Sequence, residues 1–175
     1  MGSKLYNIKN WTRQNLCDWF NNNENSCSSI KSFRADQVFK WLYQKKSENF
    51  DQMLNIGKGT RELLKNHFFI SSLKAAEKLK SSDGSIKYRI MLDDGNSIES
   101  VFLPHKNHNT ICVSSQAGCA MGCDFCMTAK MGLIRNLEPS EIINQIFTVL
   151  KDLTEEKKIR NIVFMGMGEP FHNYK

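Results

Sequence analysis

Hydrophobic residues in the first part of the chain recur at intervals of three and four, the spacing of an amphipathic helix. Leu16, Trp19 and Phe20 share one face of a helix that we predict over residues 12–20, with Thr12 as its N-cap. Two further helices are predicted, one over residues 34–46 and one from Thr60. The tryptophan and phenylalanine residues fall on these apolar faces, so we interpret them as core rather than as surfaces that stack on bases.

From Ile86 onward the period changes to two, which is typical of strands. Residues 87–92 and 97–103 read as strands, and the Asp-Gly pair between them favours a hairpin turn. A strand over residues 110–115, a helix from Pro139 and a strand over residues 161–165 follow. A strand, a helix and a second strand in this order predict a βαβ unit with a parallel sheet.

These patterns predict an α/β fold in three parts. The parts are a basic helical module over residues 1–80, a β-hairpin bridge over residues 81–104 and the start of an α/β domain over residues 105–175. A single βαβ unit with a hairpin cannot cover both faces of a parallel sheet, so the chain looks short for the architecture that it begins.

Composition adds a candidate partner. The chain has 175 residues and a net charge of +6, of which residues 1–80 hold +7 and residues 81–175 hold −1. A basic front half favours a polyanion, nucleic acid first, although a solvated lysine-rich surface would look the same. No apolar run is long enough to span a membrane and the N-terminus does not resemble a secretory signal. We therefore expect a cytoplasmic protein.

Four of the six cysteines lie within 15 residues, a clustering typical of a metal or catalytic site in a cytosolic chain. Cys119, Cys123 and Cys126 follow a predicted strand directly. Three thiolates can hold three irons of a 4Fe-4S cluster and leave the fourth iron for the amino and carboxylate groups of S-adenosylmethionine. One electron then cleaves the sulfonium to give a deoxyadenosyl radical.

Two other interpretations of these cysteines stay open. With Cys112 as a fourth ligand the group could hold a structural zinc ion, although Cys112 lies on a predicted strand rather than in a knuckle. The thiols could also be unrelated buried residues. We interpret Cys17 and Cys27 as ordinary small hydrophobic residues or surface thiols.

A second candidate element is the Gly166-Met167-Gly168-Glu169-Pro170 segment. It comes at the carboxyl end of a predicted strand, where α/β folds place their ligands. Glycines let a cofactor approach the backbone, and the carboxylate of Glu169 can bind the ammonium of an amino-acid cofactor. The segment alone is a weak signal, and it gains weight from the cysteine motif one βα unit earlier.

Six stretches form a wider pattern: Phe33–Tyr43, Ile98–Pro104, Cys112–Cys126, Thr128–Gly132, Arg135–Leu137 and Met165–Pro170. Together they resemble the radical S-adenosylmethionine RNA methyltransferases of the RlmN/Cfr type. The resemblance implies a helix-hairpin-helix-like N-terminal module and the first part of a (βα)6 partial barrel. It also implies methylation of adenine C2 in 23S ribosomal RNA and, in some members, of a tRNA adenine beside the anticodon.

The resemblance assigns roles by position. It implies that Cys119, Cys123 and Cys126 are the ligands of a 4Fe-4S cluster and that Gly168 and Glu169 contact S-adenosylmethionine. It also implies that Glu99 is the proton acceptor and that Cys112 is the thiol that resolves a covalent RNA–protein adduct. It also implies an electron donor such as flavodoxin or ferredoxin. The alternatives are C8 methylation, as in the Cfr branch, and a zinc-stabilised RNA-binding module without catalysis.

Members of this family are much longer than the present chain. The cysteine that carries the methyl group in the family lies beyond the stretches that match. We therefore expect the 175 residues alone to be a truncated form that cannot complete the methylation cycle.

Overall fold

The computed structural model describes residues 5–23, 28–106, 108–153 and 158–174, which leaves Cys27 outside the described residues. The chain divides into two units, one up to Ser72 and one from Leu73. This boundary precedes the limit at residue 80 that the sequence pattern predicted, because the lysine-rich segment 74–80 joins the sheet of the second unit. Within the described ranges, no helix is long and apolar enough to cross a membrane.

The first unit is mainly helical. Its elements are β1 (Tyr6–Asn7), α1 (Arg13–Asn23), α2 (Ser28–Phe39), α3 (Lys58–His67) and β2 (Phe68–Phe69), and a π-helical turn over Lys40–Gln44 continues α2. The strands β1 and β2 pair in parallel and join the two ends of the unit. The buried side chains of its core include Ile8, Leu16, Leu42, Met53 and Leu64.

Most tryptophan and phenylalanine residues of this unit belong to its core, as predicted, whereas Phe33 and Phe69 are exposed. Phe20 is fully buried, and Trp19 packs edge-on against Phe68 with the ring centroids 4.9 Å apart. Trp11 meets the same ring edge-on at 4.8 Å. These contacts use the ring edges and faces for packing within the unit.

The described residues of the second unit form a main sheet, a small hairpin, two α-helices and a short 3₁₀ helix. Its elements follow in the order β3 (Lys74–Lys80), β4 (Ile86–Met91), β5 (Ser97–Pro104), β6 (Asn109–Cys112), β7 (Gln116–Gly118), α4 (Met127–Lys130), β8 (Leu133–Asn136), α5 (Pro139–Asp152) and β9 (Ile159–Val163).

The main sheet has the strand order β3-β4-β5-β6-β9. Neighbours are antiparallel as far as β6, whereas β6 and β9 are parallel, which confirms the predicted βαβ unit. The hairpin of β7 and β8 was not predicted. It starts just after β6 and carries the chain into the cysteine loop.

Helix α5 covers one face of the main sheet. Its Ile146 and Val149 are buried against Ile98, Phe102 and Ile111 of the strands. The helix begins at Pro139, as predicted, and its Glu141 carboxylate accepts a hydrogen bond from the Glu138 backbone N–H at 2.9 Å. That bond satisfies one of the free N–H groups at the helix start.

Candidate metal and cofactor site

The face of the main sheet opposite α5 carries polar side chains. Phe102 of β5 is fully buried on the α5 side, so Val101 and Glu99 project from the other face. In the strand register, Val101 pairs with Lys87 of β4 and with Cys112 of β6. Residues that pair across neighbouring strands point to the same side of a sheet. Glu99, Lys87 and Cys112 therefore share the face opposite α5.

Glu99 borders a cleft of about 260 Å³ on this face. Its carboxylate lies 3.1 Å from the ammonium of Lys87, and both side chains are close to half exposed. The other lining residues are Arg89, Ser97, Met127, Thr128, Met131 and Met167. Met127, which follows Cys126, and Met167, which precedes Gly168, thus line the same cleft as Glu99.

Cys112 ends β6 and has only 7% of its surface exposed. Burial raises the pKa of its thiol, and a hydrogen bond from the Met165 backbone opposes this rise to a smaller extent. The thiol is therefore protonated at neutral pH. Cys112 shares a face with Glu99, but it does not line the Glu99 cleft.

Cys119, Cys123 and Cys126 lie in a loop, as predicted, but the loop runs from β7 to α4, so the unpredicted strand β7 directly precedes it and not the strand predicted over residues 110–115. The backbone N–H of Cys119 donates to the Gly132 carbonyl at 3.0 Å, so the loop leaves from the paired end of the hairpin. The backbone N–H of Cys126 donates to the Cys123 carbonyl at 3.0 Å, which closes a turn between these two cysteines. Cys119 is buried, Cys123 is exposed and Cys126 is partly exposed.

Cys126 lies directly before α4. Hydrogen bonds from the backbone N–H of Ala129, and then from the backbone and hydroxyl of Thr128, lower the pKa of its thiol. Donors at the start of a helical turn stabilise the thiolate because they point at the negative sulfur. The surroundings of Cys126 thus favour the thiolate, which is the form that binds metals.

In the part of the chain that the structure describes, no three His, Cys, Asp or Glu side chains are gathered as the ligands of a metal ion. The three loop thiols nevertheless fit an iron–sulfur cluster by donor chemistry, because thiolates are the ligands that such clusters use. The loop residues 120–125 are all exposed, so the loop is not buried beneath other elements. The same donors also suit zinc.

The Gly-Met-Gly segment after β9 packs directly on the residues that connect β6 to β7. The Met167 backbone N–H donates to Ser114 Oγ at 2.8 Å. A Cβ at Gly166 would lie 2.7 Å from Ser114 Oγ, and one at Gly168 would lie 2.5 Å from the Gln116 Cβ. Gly168 also has a φ of +98°, which favours glycine. Both positions therefore need the smallest residue.

Glu169 is held from both its backbone and its side chain. Its N–H donates to Gln116 Oε1 at 2.9 Å, and its Oε1 accepts from the Phe171 N–H at 2.9 Å. The second bond caps the short 3₁₀ helix over Pro170–Asn173. Glu169 is a predicted cofactor contact, and one of its two carboxylate oxygens is thus already engaged as the N-cap of this helix.

The sequence analysis did not single out Gln145 of α5, which is fully buried at the back of the site. Its Oε1 accepts from the Ser100 hydroxyl and from the Ser114 N–H, both at 2.8 Å, and its Nε2 donates to the Ser114 carbonyl at 2.9 Å. The side chain thus fixes the chain just before the cysteine loop. The sequence signal that could have pointed to Gln145 was its position among the apolar residues of the helix predicted from Pro139.

Comparison with known proteins shows what each unit of the chain is similar to. Residues 6–70 match the family model for the ribosomal RNA large subunit methyltransferase N-terminal domain of RlmN. The chain carries an RlmN N-terminal domain. This match lies within the first unit, so the RlmN similarity of the second unit depends on whole-chain relatives.

Curated relatives extend the RlmN similarity into the second unit. The chain is 52% identical over 167 residues to the dual-specificity RNA methyltransferase RlmN of Desulfosudis oleivorans, which covers 95% of this chain and 44% of the relative. It is 51% identical over 141 residues to the RlmN of Pelobacter propionicus, which covers 81% of this chain and 40% of the relative. The chain thus spans less than half the length of these RlmN relatives.

A solved structure supports the same relationship. The chain superimposes on a radical SAM methyltransferase from Sphaerobacter thermophilus with a TM-score of 0.81 and 33% identity, covering 97% of this chain and 49% of the other. Together with the curated relatives, this match confirms the resemblance stated from the sequence. Both curated relatives carry the RlmN name, so they do not favour the Cfr-type alternative.

Proposed function

We propose that these residues form the N-terminal part of an RlmN-type radical S-adenosylmethionine methyltransferase, acting on adenine C2 in 23S ribosomal RNA and in tRNA. The observation that supports this most is the cleft shared by Glu99 and the residues next to the cysteine loop and the glycine segment. An adenine ring carbon is not a nucleophile, so its methylation needs a radical source and a proton acceptor in one place. The names of the relatives agree with this class.

In this proposal Cys119, Cys123 and Cys126 hold a 4Fe-4S cluster. When bound, the cluster supplies the electron that cleaves S-adenosylmethionine. The lowered pKa of Cys126 favours the thiolate form, which is the form that binds metals. Gly168 and Glu169 would contact S-adenosylmethionine, and the Glu169 carboxylate would bind its ammonium group.

Glu99 and Cys112 handle protons for the reacting base. Glu99 takes up the proton that leaves the ring carbon, and the Lys87 ammonium at 3.1 Å holds its carboxylate at the edge of the cleft. Cys112 keeps its proton because it is buried, so it remains a neutral thiol until the RNA–protein adduct has formed. The two groups share one face of the sheet, which allows both to serve one bound base.

The proposal extends to partners. Ribosomal RNA and tRNA would bind through the basic first unit, and flavodoxin or ferredoxin would supply the electron. These steps belong to the cytoplasm. Because the matched region is 44% of the Desulfosudis relative, we propose that the 175 residues supply cofactor binding and not the complete methylation cycle.

Anaerobic reconstitution with iron and sulfide tests the cofactor part. We expect about four irons per chain and an absorption spectrum of a 4Fe-4S cluster. The electron paramagnetic resonance spectrum of the reduced protein should change when S-adenosylmethionine is added. Cys119→Ala, Cys123→Ala and Cys126→Ala should each lose most of the iron, whereas Cys17→Ala, a buried thiol of the first unit, should keep it.

The same experiment separates the proposal from the zinc-stabilised RNA-binding module. Stoichiometric zinc that excludes iron uptake would contradict the radical chemistry and support the zinc module. Iron uptake that survives all three alanine substitutions would contradict the ligand assignment.

A further inference from the structure

Amide side chains fasten the segment after β9 to the hairpin of β7 and β8. Asn173 donates from Nδ2 to the Ser115 carbonyl at 2.8 Å and to the Leu137 carbonyl at 2.9 Å. Asn136 of β8 donates to the His172 carbonyl at 3.3 Å. Ser115 precedes β7 and Leu137 follows β8. The segment is thus attached at both ends of the hairpin whose loop holds the three clustered cysteines.

Gln116, the first residue of β7, joins this hairpin to the predicted cofactor contact itself. Only 1% of its surface is exposed. Its Oε1 accepts from the Glu169 N–H at 2.9 Å, and its Nε2 donates to Asn136 Oδ1 at 2.7 Å. Asn136 is also the cross-strand partner of Gln116. One buried amide therefore connects both strands, at the base of the cysteine loop, to Glu169.

The backbone and the side chain of Glu169 are each held by a hydrogen bond. Gln116 holds the backbone, and the Phe171 N–H holds the carboxylate through Oε1 at 2.9 Å, so one oxygen remains to bind a ligand. The stem of Gln116 also packs on Gly168, where an added Cβ would lie 2.5 Å from the Gln116 Cβ. A carboxylate that is fixed before its ligand arrives loses little conformational entropy on binding.

We propose that Gln116 is a positioning residue for S-adenosylmethionine, which holds the Glu169 carboxylate at a set distance from the cysteine loop. The identity of the ligand rests on the proposed function. The thiols are supported separately, because the backbone pairing of β7 and β8 does not use the Gln116 side chain. Removing the amide should therefore weaken cofactor binding without changing the iron content.

The substitution Gln116→Met tests this inference, because it removes both hydrogen bonds and keeps the length of the side chain. In the anaerobically reconstituted 175-residue chain we expect an unchanged iron content and at least about tenfold weaker affinity for S-adenosylmethionine. Tenfold corresponds to about 1.4 kcal/mol, the size of one lost hydrogen bond. A titration followed by electron paramagnetic resonance of the reduced protein measures the affinity, and the spectrum at saturation should match that of the unchanged chain.

Amide exchange in the cluster-free chain tests the same contact without a ligand. In Gln116→Met the Glu169 N–H should exchange at least about tenfold faster than in the unchanged chain. If Gln116→Met does not fold, Asn136→Leu takes its place. It changes an exposed residue and removes the anchor of the Gln116 amide, so the affinity should fall about threefold at unchanged iron content.

The matched control is Thr148→Val, which removes a buried hydroxyl of α5 that donates to the Leu73 and Asn144 carbonyls. It should keep both the affinity and the Glu169 exchange rate. Unchanged affinity in Gln116→Met overturns the proposal. A proportional loss of iron also overturns it, because Gln116 then supports the loop and not Glu169. If the unchanged chain takes up no cluster, the proposed function fails, and the Glu169 exchange rate alone decides the assignment of Gln116.

Discussion

At the scale of single residues, the glycines after β9 serve the packing of the protein itself. The sequence suggested that they let a cofactor approach the backbone. In the structure the close approach is internal, because a Cβ at Gly166 or Gly168 would enter the space of Ser114 or Gln116. The glycine segment and the chain before the cysteine loop are therefore held at a fixed separation, whichever ligand binds nearby.

Replacing Gly168 by alanine should destabilise the second unit by about 1–3 kcal/mol, because alanine is strained at positive φ and its Cβ overlaps Gln116. Urea unfolding measures the change. The control is Gly59→Ala in α3, where nothing lies within 4 Å of the added Cβ. That change should be neutral or stabilising by up to about 1 kcal/mol. Equal stability of the Gly168 variant and the unchanged chain would refute the argument.

Residue spacing predicted part of the site, and tertiary pairing determined the rest. The cysteine loop was predicted from its spacing, whereas the roles of Glu99 as proton acceptor and of Cys112 as resolving thiol came only from the family resemblance. The sheet register then placed Glu99 beside α4. The part played by Gln145 could not be predicted, because it depends on which turn of α5 faces Ser114. A helical pattern shows that a residue faces inward without showing its partner.

At the scale of elements, the end of α5 is fastened to the sheet by one carboxylate. Asp152 accepts a hydrogen bond from the Tyr88 hydroxyl at 2.9 Å and forms an ion pair with Lys78. Tyr88 is a residue of β4, and its side chain is fully buried in the core of the second unit. Burial, and then the hydrogen bond and charge of Asp152, raise the pKa of Tyr88.

This raised pKa makes the stability of the second unit sensitive to alkaline pH. A buried phenol contributes fully below the ordinary tyrosine pKa of about 10, and its contribution is lost as the pH rises toward the raised pKa. We expect unfolding free energies, measured by urea denaturation, to fall above about pH 10. The Tyr88→Phe variant should show a smaller fall in unfolding free energy above pH 10, and its unfolding free energy at neutral pH should be lower by about 1 kcal/mol.

The control for this prediction is Tyr174→Phe, which removes a phenol that is 82% exposed in the same unit. It should leave the alkaline fall unchanged. Tyr43 of the first unit also has a pKa raised by burial, but it is present in both variants and cancels in the comparison. If the unfolding free energy falls with the same slope above pH 10 in the unchanged chain and in Tyr88→Phe, the attribution of that fall to Tyr88 is contradicted.

Elements with a clear period were predicted, and those without one were missed. The helix from Pro139 and the hairpin strands were predicted because their apolar residues recur regularly. β3 was missed because its residues are mostly charged and exposed. β7 and β8 are three and four residues long, too short for any period, and they exist because they pair with each other.

At the scale of the whole molecule, the division into two units locates the positive charge. Up to Ser72 the chain has 11 Lys and Arg residues against 6 Asp and Glu, and from Leu73 it has 13 against 12. The first unit therefore carries +5 of the total charge of +6. This unit is also the one that matches the RlmN N-terminal domain. A polyanion such as RNA is expected to bind there first.

This distribution predicts salt-dependent RNA binding through the first unit. Replacing Lys40, Lys45 and Lys46 by glutamine, all exposed around the π-helical turn, should weaken binding to a short RNA hairpin. The slope of log affinity against log salt should fall by about 2 if these residues contact phosphates. Fluorescence anisotropy at several salt concentrations measures it.

The control removes the same charge from the second unit by replacing Lys106, Lys130 and Lys158, which are also exposed, by glutamine. The RNA affinity of this variant should change much less than that of the first-unit variant. An equal loss of affinity in both variants would show that only total charge matters.

The alternation along β5 limits how this chain can change in evolution. The strand faces the core with Ile98 and Phe102 and faces the cleft with Glu99. Losing or gaining one residue in the turn before Ser97 would exchange the core-facing and cleft-facing residues of β5. The Glu99 carboxylate would then face the apolar core, and the Phe102 ring would face solvent. Length changes of two residues would keep each set on its side. Lineages that retain the site should therefore vary this turn in even steps.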